Sequence, residues 1–469
     1  MATQTVVEGS RDASAVQPGV SAARDGFTTG LGVLAATLGS AVGLGNIWKF
    51  PFLTGANGGA AFLIIYVIST LLVGLPVMIS EHIMGRTARA NAITTLQKLA
   101  PKKGPWWLIG AAGCLAAFLI LAFYTEVAGW VFAYILKAID GSALSTDPEV
   151  TSKVFSDLVS SPAWSLGIQW FVLIMVGTII LLGVSKGIER VTKTLMPVLF
   201  LLLVVVCIRS LTLPGASQGL VFLFKPDFSK VTGAVLLTAM GLAFFKLSIG
   251  MGTMITYGSY FRADQNIPKT ALRVMLADLS VSILAGMAIF PAVFAFGFEP
   301  GAGPSLLFIT IPAVFAKMPL GNVFMVCFFV LAGIAATGAM ISLFEVPVAF
   351  LSERTKMSRK TSVIVTTVLL GLVGSTAALS SSTLANVTPF GKTFFDLFDY
   401  VTSNLLLPIG GLFICLFVGW AWGKDNVKRA ISNEGMLRNE RLTTLFIGVV
   451  RFVSPVLVLL VLLSGLNVF

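Results

Sequence analysis

The sequence is short of charge. Asp, Glu, Lys and Arg supply 11% of its 469 residues, while 56% are hydrophobic; a soluble domain carries about 25% charged residues. A chain so composed cannot clothe itself in polar surface, and the bilayer is the solvent that suits it. Histidine is nearly absent. His82 stands alone, which excludes histidine-based triads and multi-histidine metal sites. The four cysteines, Cys114, Cys207, Cys327 and Cys415, sit inside apolar runs without metal-ligand spacing, so they read as buried thiols. No nucleophile–base constellation stands out, and the chain is not expected to be an enzyme. Acidic residues number 21 against 32 basic ones, a net charge of +11. The basic residues fall in short loops rather than on one face, which argues against a nucleic-acid partner.

What the sequence has in abundance is apolar runs. Eleven stretches meet the roughly 20 residues that a membrane helix needs. They cover 28–52, 59–84, 106–138, 165–184, 190–212, 232–261, 271–298, 320–351, 361–380, 395–422 and 442–467, numbered here as spans 1 to 11. Residues 1–24 are small and polar without the apolar core of a signal peptide, and read as a cytoplasmic tail ahead of one transmembrane domain over 25–469. With that tail inside, the inner segments hold 22 Lys and Arg and the outer loops 7, leaving Lys49, Lys246 and Arg451 within spans. The asymmetry places the N-terminus in the cytoplasm and the C-terminus outside a bacterial inner membrane.

Two spans echo each other. Span 1 contains Gly43-Leu44-Gly45 and span 6 contains Gly250-Met251-Gly252, each opening a set of five spans. Paired glycine interruptions at corresponding positions point to an inverted-repeat transporter with a site at the membrane midplane. Close helix packing is the competing explanation, because Gly39 and Gly43 also form a GxxxG. Asn46 and Pro51 disturb span 1 further, and the two interruptions together favour the transporter.

The run Gly43-Leu44-Gly45-Asn46-Ile47-Trp48-Lys49-Phe50-Pro51, followed by Asn57-Gly58-Gly59, is similar to the span 1 signature of the neurotransmitter:sodium symporter family. Matches continue through Glu81-His82-Ile83-Met84-Gly85-Arg86, Phe123-Tyr124 with Gly129-Trp130, Phe244-Phe245 with Ser248 and Gly250, and Ser358-Arg359-Lys360. The resemblance implies an all-α LeuT fold, with two inverted five-span repeats plus an eleventh span, as a monomer or dimer. It also implies an amino-acid site between spans 1, 3, 6 and 8, reached alternately from each side. Tyr124 matches the tyrosine that binds the substrate carboxylate, and Phe245 the aromatic lid. Gly43 stands where amine-transporting members carry an aspartate, which leaves room for an α-carboxylate. Ala41, Leu44 and Gly45 complete the span 1 wall. The side-chain pocket of Ile120, Ser248, Met251, Ala339 and Leu343 suits a neutral, apolar or aromatic amino acid. Lys49 and Asp399 match the outer gate, Arg24 and Glu353 the inner one. Gly187 and Pro197 match the spacing at which span 5 unwinds.

The ion positions depart from the family. The first sodium position keeps Asn46 but has Lys246 and Asp278 where the family has a hydroxyl and an asparagine. A lysine offers no oxygen ligand and brings its own positive charge. An unpaired charge in mid-membrane costs at least about 2.5–3.5 kcal/mol, so Lys246 is expected to pair with Asp278, its ammonium facing the substrate carboxylate in sodium's place. The second sodium position draws on the carbonyls of Gly39 and Val42. Its span 8 positions, Ala335, Gly338 and Ala339, have no hydroxyl unless a one-residue slip brings in Thr337. The anion position keeps Tyr66 and Ser282 but has Leu242. The chain therefore reads as a secondary amino-acid transporter with altered or lost sodium coupling. It would then be proton-coupled through Lys246, Asp278 or Glu126, or work by exchange. Glu126 also admits a structural hydrogen bond. A conventional sodium-coupled symporter and a non-transporting amino-acid sensor are the alternatives. Sodium is the one ion considered as a cofactor, with its usual ligands substituted.

Overall fold

The computed structural model describes residues 25–102, 104–298, 306–466 and 468, and among these there is no strand. Among the described residues nine helices are long and apolar enough to cross a membrane. They are span 2 (Ala60–Ala88), span 3 (Trp107–Asp140), span 4 (Pro162–Leu181), span 5 (Val184–Leu211), span 7 (Ile267–Ala295), span 8 (Gly321–Arg354), span 9 (Arg359–Ala378), span 10 (Phe394–Ala421) and span 11 (Glu440–Gly465). Residues 1–24, expected as a tail, lie outside the described residues, and Arg24 with them.

The two remaining apolar stretches are broken. Span 1 runs as Gly30–Ala41 and Gly45–Ala56 with a bend of 50° between the pieces. Span 6 runs as Gly233–Lys246, pauses, and resumes as Thr253–Gly258. In that pause Ser248, Gly250 and Gly252 have φ of 52°, 79° and 74°. A Cβ on Gly250 would also come within 2.6 Å of the Leu407 carbonyl oxygen. Glycine is thus required there by backbone conformation and by space at once.

Polar caps set where the helices start. Thr29 accepts from the Gly32 N–H at the head of span 1, Thr232 from Val235 at span 6, and Ser358 from Thr361 at span 9, satisfying donors the first turn leaves open. Span 7 begins earlier than its apolar run, at Ile267, because Asn266 caps it and Pro268 occupies its first turn. Among the described helices spans 3 and 8 pack against each other most extensively. Leu201, Leu372 and Leu445 point outward, as a lipid-facing surface permits. Short helices Ala92–Leu99, Pro148–Val159, Ala216–Phe224 and Lys424–Ile431 bridge the spans.

Candidate functional site

Both breaks open onto one cavity. It holds about 30 Å³ and is walled by Ser40, Ala41, Gly43 and Gly45 of span 1, Ile120 and Tyr124 of span 3, Phe245, Lys246, Ser248 and Met251 of span 6, and Ala339 and Leu343 of span 8. Every expected substrate residue is here except Leu44, which faces a larger opening beyond. That vestibule, about 300 Å³, is shared by Leu44, Gly45, Lys49, Trp130, Phe155 and Asp399. Tyr124 and Phe245 border both spaces and form the partition between them. The Leu44 N–H, freed by the break, donates to the Tyr124 hydroxyl oxygen at 2.9 Å. With that oxygen accepting from the backbone, the phenolic proton is left to donate to another acceptor.

The cavity is less polar than its serines suggest. Ser248 donates to the Ser40 carbonyl at 2.7 Å, so its proton is already committed. Ser40 in turn donates to the Ser342 hydroxyl at 2.8 Å. Across the span 6 break, the Gly250 N–H donates to Glu81 Oε1 at 2.6 Å and Thr253 donates to the Ser248 carbonyl at 2.5 Å. Ser40 and Glu81 are site residues that sequence reasoning missed. Glu81 had a signal available, a carboxylate within an apolar span; Ser40 had none beyond its place just before the break.

Lys246 and Asp278 meet as an ion pair, Nζ to Oδ2 at 3.1 Å, with both side chains wholly excluded from solvent. The ammonium also donates to the Tyr66 hydroxyl at 2.9 Å and to Ser282 Oγ. Tyr66 donates to Asp278 Oδ2 at 3.2 Å. Asn46 turns its amide nitrogen onto Asp278 Oδ1 at 2.7 Å, while its oxygen accepts from the Gly43 N–H at 3.3 Å. The ammonium, expected to face a substrate carboxylate, has Tyr66, Asp278 and Ser282 as its partners. The Lys246 stem passes Gly45 and ends between Asp278 and the pair Tyr66 and Ser282, which the resemblance gives to an anion. The reason is electrostatic. A fully desolvated ammonium needs a carboxylate and further acceptors around it, and Asp278 supplies the carboxylate.

The second ion position is built of backbone and small residues. A Cβ on Gly338 would lie 2.7 Å from the Gly39 carbonyl oxygen, and one on Gly43 would lie 3.0 Å from the Ala339 methyl. Spans 1 and 8 thus touch almost backbone to backbone. Ala335 is fully buried and Val42 closes the helix by donating to Leu38. Thr337 spends its hydroxyl on the Gly333 carbonyl at 2.8 Å. Glu126 accepts from the Trp130 indole of its own helix at 2.7 Å and lies outside the residues that line the cavity.

Lys49 and Asp399 approach to 3.9 Å across the vestibule, partly exposed at 28% and 41%, and the Lys49 ammonium lies 4.1 Å from the centre of the Phe245 ring. At the opposite end Glu353 accepts from the Asn91 backbone N–H at 2.8 Å and from its side chain at 2.9 Å; its expected partner Arg24 is outside the described residues. Three other clusters close that end. Glu345 receives Arg359 through two bonds, 2.9 and 2.7 Å, and Tyr260 at 2.6 Å. Glu189 accepts from the Thr28 N–H at 2.7 Å and from the hydroxyls of Thr28 and Thr29. Arg262 donates to the Thr28 carbonyl at 3.0 Å. Gly187 lies in the π-helical turn Val184–Glu189 that begins span 5, and Pro197 lies within the helix that follows.

Known sequences and structures give this geometry a setting. The pattern of the Sodium:neurotransmitter symporter family matches residues 24–146 and 153–469. The chain is 40% identical over 424 residues to the uncharacterized sodium-dependent transporter YhdH of Bacillus subtilis, covering 90% of this chain and 94% of that one. It is 36% identical over 432 residues to an uncharacterized sodium-dependent transporter of Haemophilus influenzae, with the same coverages. The crystal structure of MhsT in complex with L-phenylalanine superposes with a TM-score of 0.87 at 41% identity, over 94% of this chain and 100% of that one.

Proposed function

The chain belongs to the sodium:neurotransmitter symporter family and has its LeuT fold, two inverted five-span repeats and an eleventh span, and from that premise we propose that it carries a neutral, apolar or aromatic amino acid by alternating access. The observation that bears the reading is the convergence of both helix breaks and the Tyr124 hydroxyl on one small cavity. A substrate carboxylate would take the phenolic proton at the break between Gly43 and Gly45, where a helix start favours negative charge. Its side chain would lie among Ile120, Met251, Ala339 and Leu343, since Ser248 has its proton bound elsewhere. The L-phenylalanine held by MhsT fits this choice. Phe245 with Lys49 and Asp399 would shut the outer side, and the Glu345, Glu189 and Glu353 clusters the cytoplasmic one, in keeping with the lysine and arginine asymmetry.

The finer part of the proposal concerns ions. At the first position the Lys246–Asp278 pair supplies fixed charges where a sodium ion needs several free oxygens, and the Asn46 oxygen is turned to Gly43. We read uptake as independent of sodium at that position. A conventional sodium-coupled mechanism is the second reading, favoured by the sodium-dependent description of YhdH. Phenylalanine uptake into proteoliposomes, with sodium present or fully replaced by choline, decides between them. The proposal expects equal uptake in both, and a new sodium requirement in the Lys246→Thr, Asp278→Asn double variant, which restores the hydroxyl and the amide that the family carries there. Uptake by the parent protein that stops without sodium overturns it.

A further inference from the structure

One intramembrane charge plays no part in the transport site. Arg451 lies within span 11, a helix that contains an 18-residue stretch of mean hydropathy 2.6. Such a charge is expected to have a partner with a purpose. Its Nε donates to the Gly419 carbonyl of span 10 at 2.5 Å, and its guanidinium carbon lies 4.7 Å from the centre of the Trp420 ring. Trp420 returns a bond from its indole N–H to the Arg451 carbonyl at 3.3 Å. Both backbones form wide π-helical turns where they meet, at Phe417–Ala421 and Val449–Val453. Turns of this kind recur at functional positions. A side chain on Gly419 would come within 3.1 Å of the Arg451 stem, so the glycine lets the guanidinium reach the carbonyl.

These contacts orient the guanidinium and leave most of it unused. Among the described residues no carboxylate pairs with Arg451, and its two terminal nitrogens have no partner yet are not buried. They form the planar fork that matches two phosphate oxygens. Although Arg451 is deep within its own helix, it lies beside the last turn of span 10, which ends at Ala421. Around it the surface is apolar, with Leu445, Phe452 and Trp420 more than half exposed. Just past the end of span 10 lie the exposed Lys424, Lys428 and Arg429, with Arg441 at the start of span 11.

We infer that Arg451 and Trp420 form a binding site for the phosphate of an anionic phospholipid, whose acyl chains lie against Leu445 and Phe452. A phosphate answers the unpaired guanidinium, the apolar wall answers the chains, and the basic residues at the span end favour a net negative headgroup. The site is separate from the substrate cavity, so it stands or falls independently of the transport reading.

The test is native mass spectrometry of the full-length protein released from micelles supplied with phosphatidylglycerol or phosphatidylcholine, together with thermal unfolding in the same lipids. The inference expects one phosphatidylglycerol retained per protein and a higher unfolding temperature with that lipid than with phosphatidylcholine. Arg451→Gln should cut retention about fivefold, the worth of one basic contact, and Arg451→Lys should restore part of it. Trp420→Leu should also reduce retention, and serves if Arg451→Gln does not fold. Retention unchanged in either variant overturns the inference. So does stabilisation by inorganic phosphate equal to that by phosphatidylglycerol, which would make this a free-anion site.

Discussion

The two ends of the transport path are closed by unlike means. On the vestibule side, one pair separated by 3.9 Å and partly exposed joins Lys49 to Asp399; such a pair is worth about 0–1 kcal/mol. On the other side, Glu345 is fully buried and bound by Arg359 and Tyr260, while Arg359 also donates to the Ile180 carbonyl at the end of span 4. Glu189 holds the head of span 1 through three separate donors, and a Cβ on Gly32 would fall 2.0 Å from its carboxylate oxygen. Hydrogen bonds to charged groups are worth about 1.5–3 kcal/mol each. With the orientation proposed above, the protein is held firmly shut at the Glu345 end, the inner side, and lightly latched at the Lys49 end, the outer side, so that outward opening is the easier step.

Breaking the inner side should show this most strongly. Glu345→Leu strands the Arg359 guanidinium, which is 29% exposed, and should cost about 3 kcal/mol, the lower end for a broken buried pair. Thermal unfolding and the labelling of a cysteine placed at Ala36, buried in span 1, would both report it. Labelling from the inner side that does not rise would end the comparison. Glu189→Gln keeps the shape and removes the charge. It should weaken the hold on Thr28 and Thr29 by about 1 kcal/mol, read as roughly a fivefold rise in the same labelling. The smallest effect belongs to the outer gate. Asp399→Asn should speed substrate release by less than about fivefold, and the change should shrink further in high salt. An Asp399→Asn protein that opens outward more than Glu345→Leu opens inward would reverse the asymmetry.

Much of the architecture could be read from sequence because membrane spans announce themselves by length and apolarity, and because Gly43 and Gly250 mark the breaks. The residues that motif positions assigned to a substrate, Leu44 apart, do line one cavity. What stayed hidden depends on contacts between spans far apart in the chain. Nothing local to Ser40 indicates that Ser342 lies across from it, and nothing local to Lys246 indicates that its ammonium also reaches Tyr66 and Ser282. Arg359 entered only as part of a motif, although its service to Glu345 closes the inner side. The π-helical turns in spans 5, 10 and 11 were equally silent, since one extra residue per turn leaves hydropathy unchanged.

The buried pair of Lys246 and Asp278 also bears on energy supply. A bound sodium ion crosses with the substrate and moves its charge through the membrane voltage, which contributes about 2.3 kcal/mol per 100 mV. A lysine ammonium tethered to the chain returns with it, and beside Asp278 it sums to no net charge. Under the proposed reading, the half-cycle that carries a zwitterionic amino acid is electrically silent at this position, and the cell's voltage does no work through it.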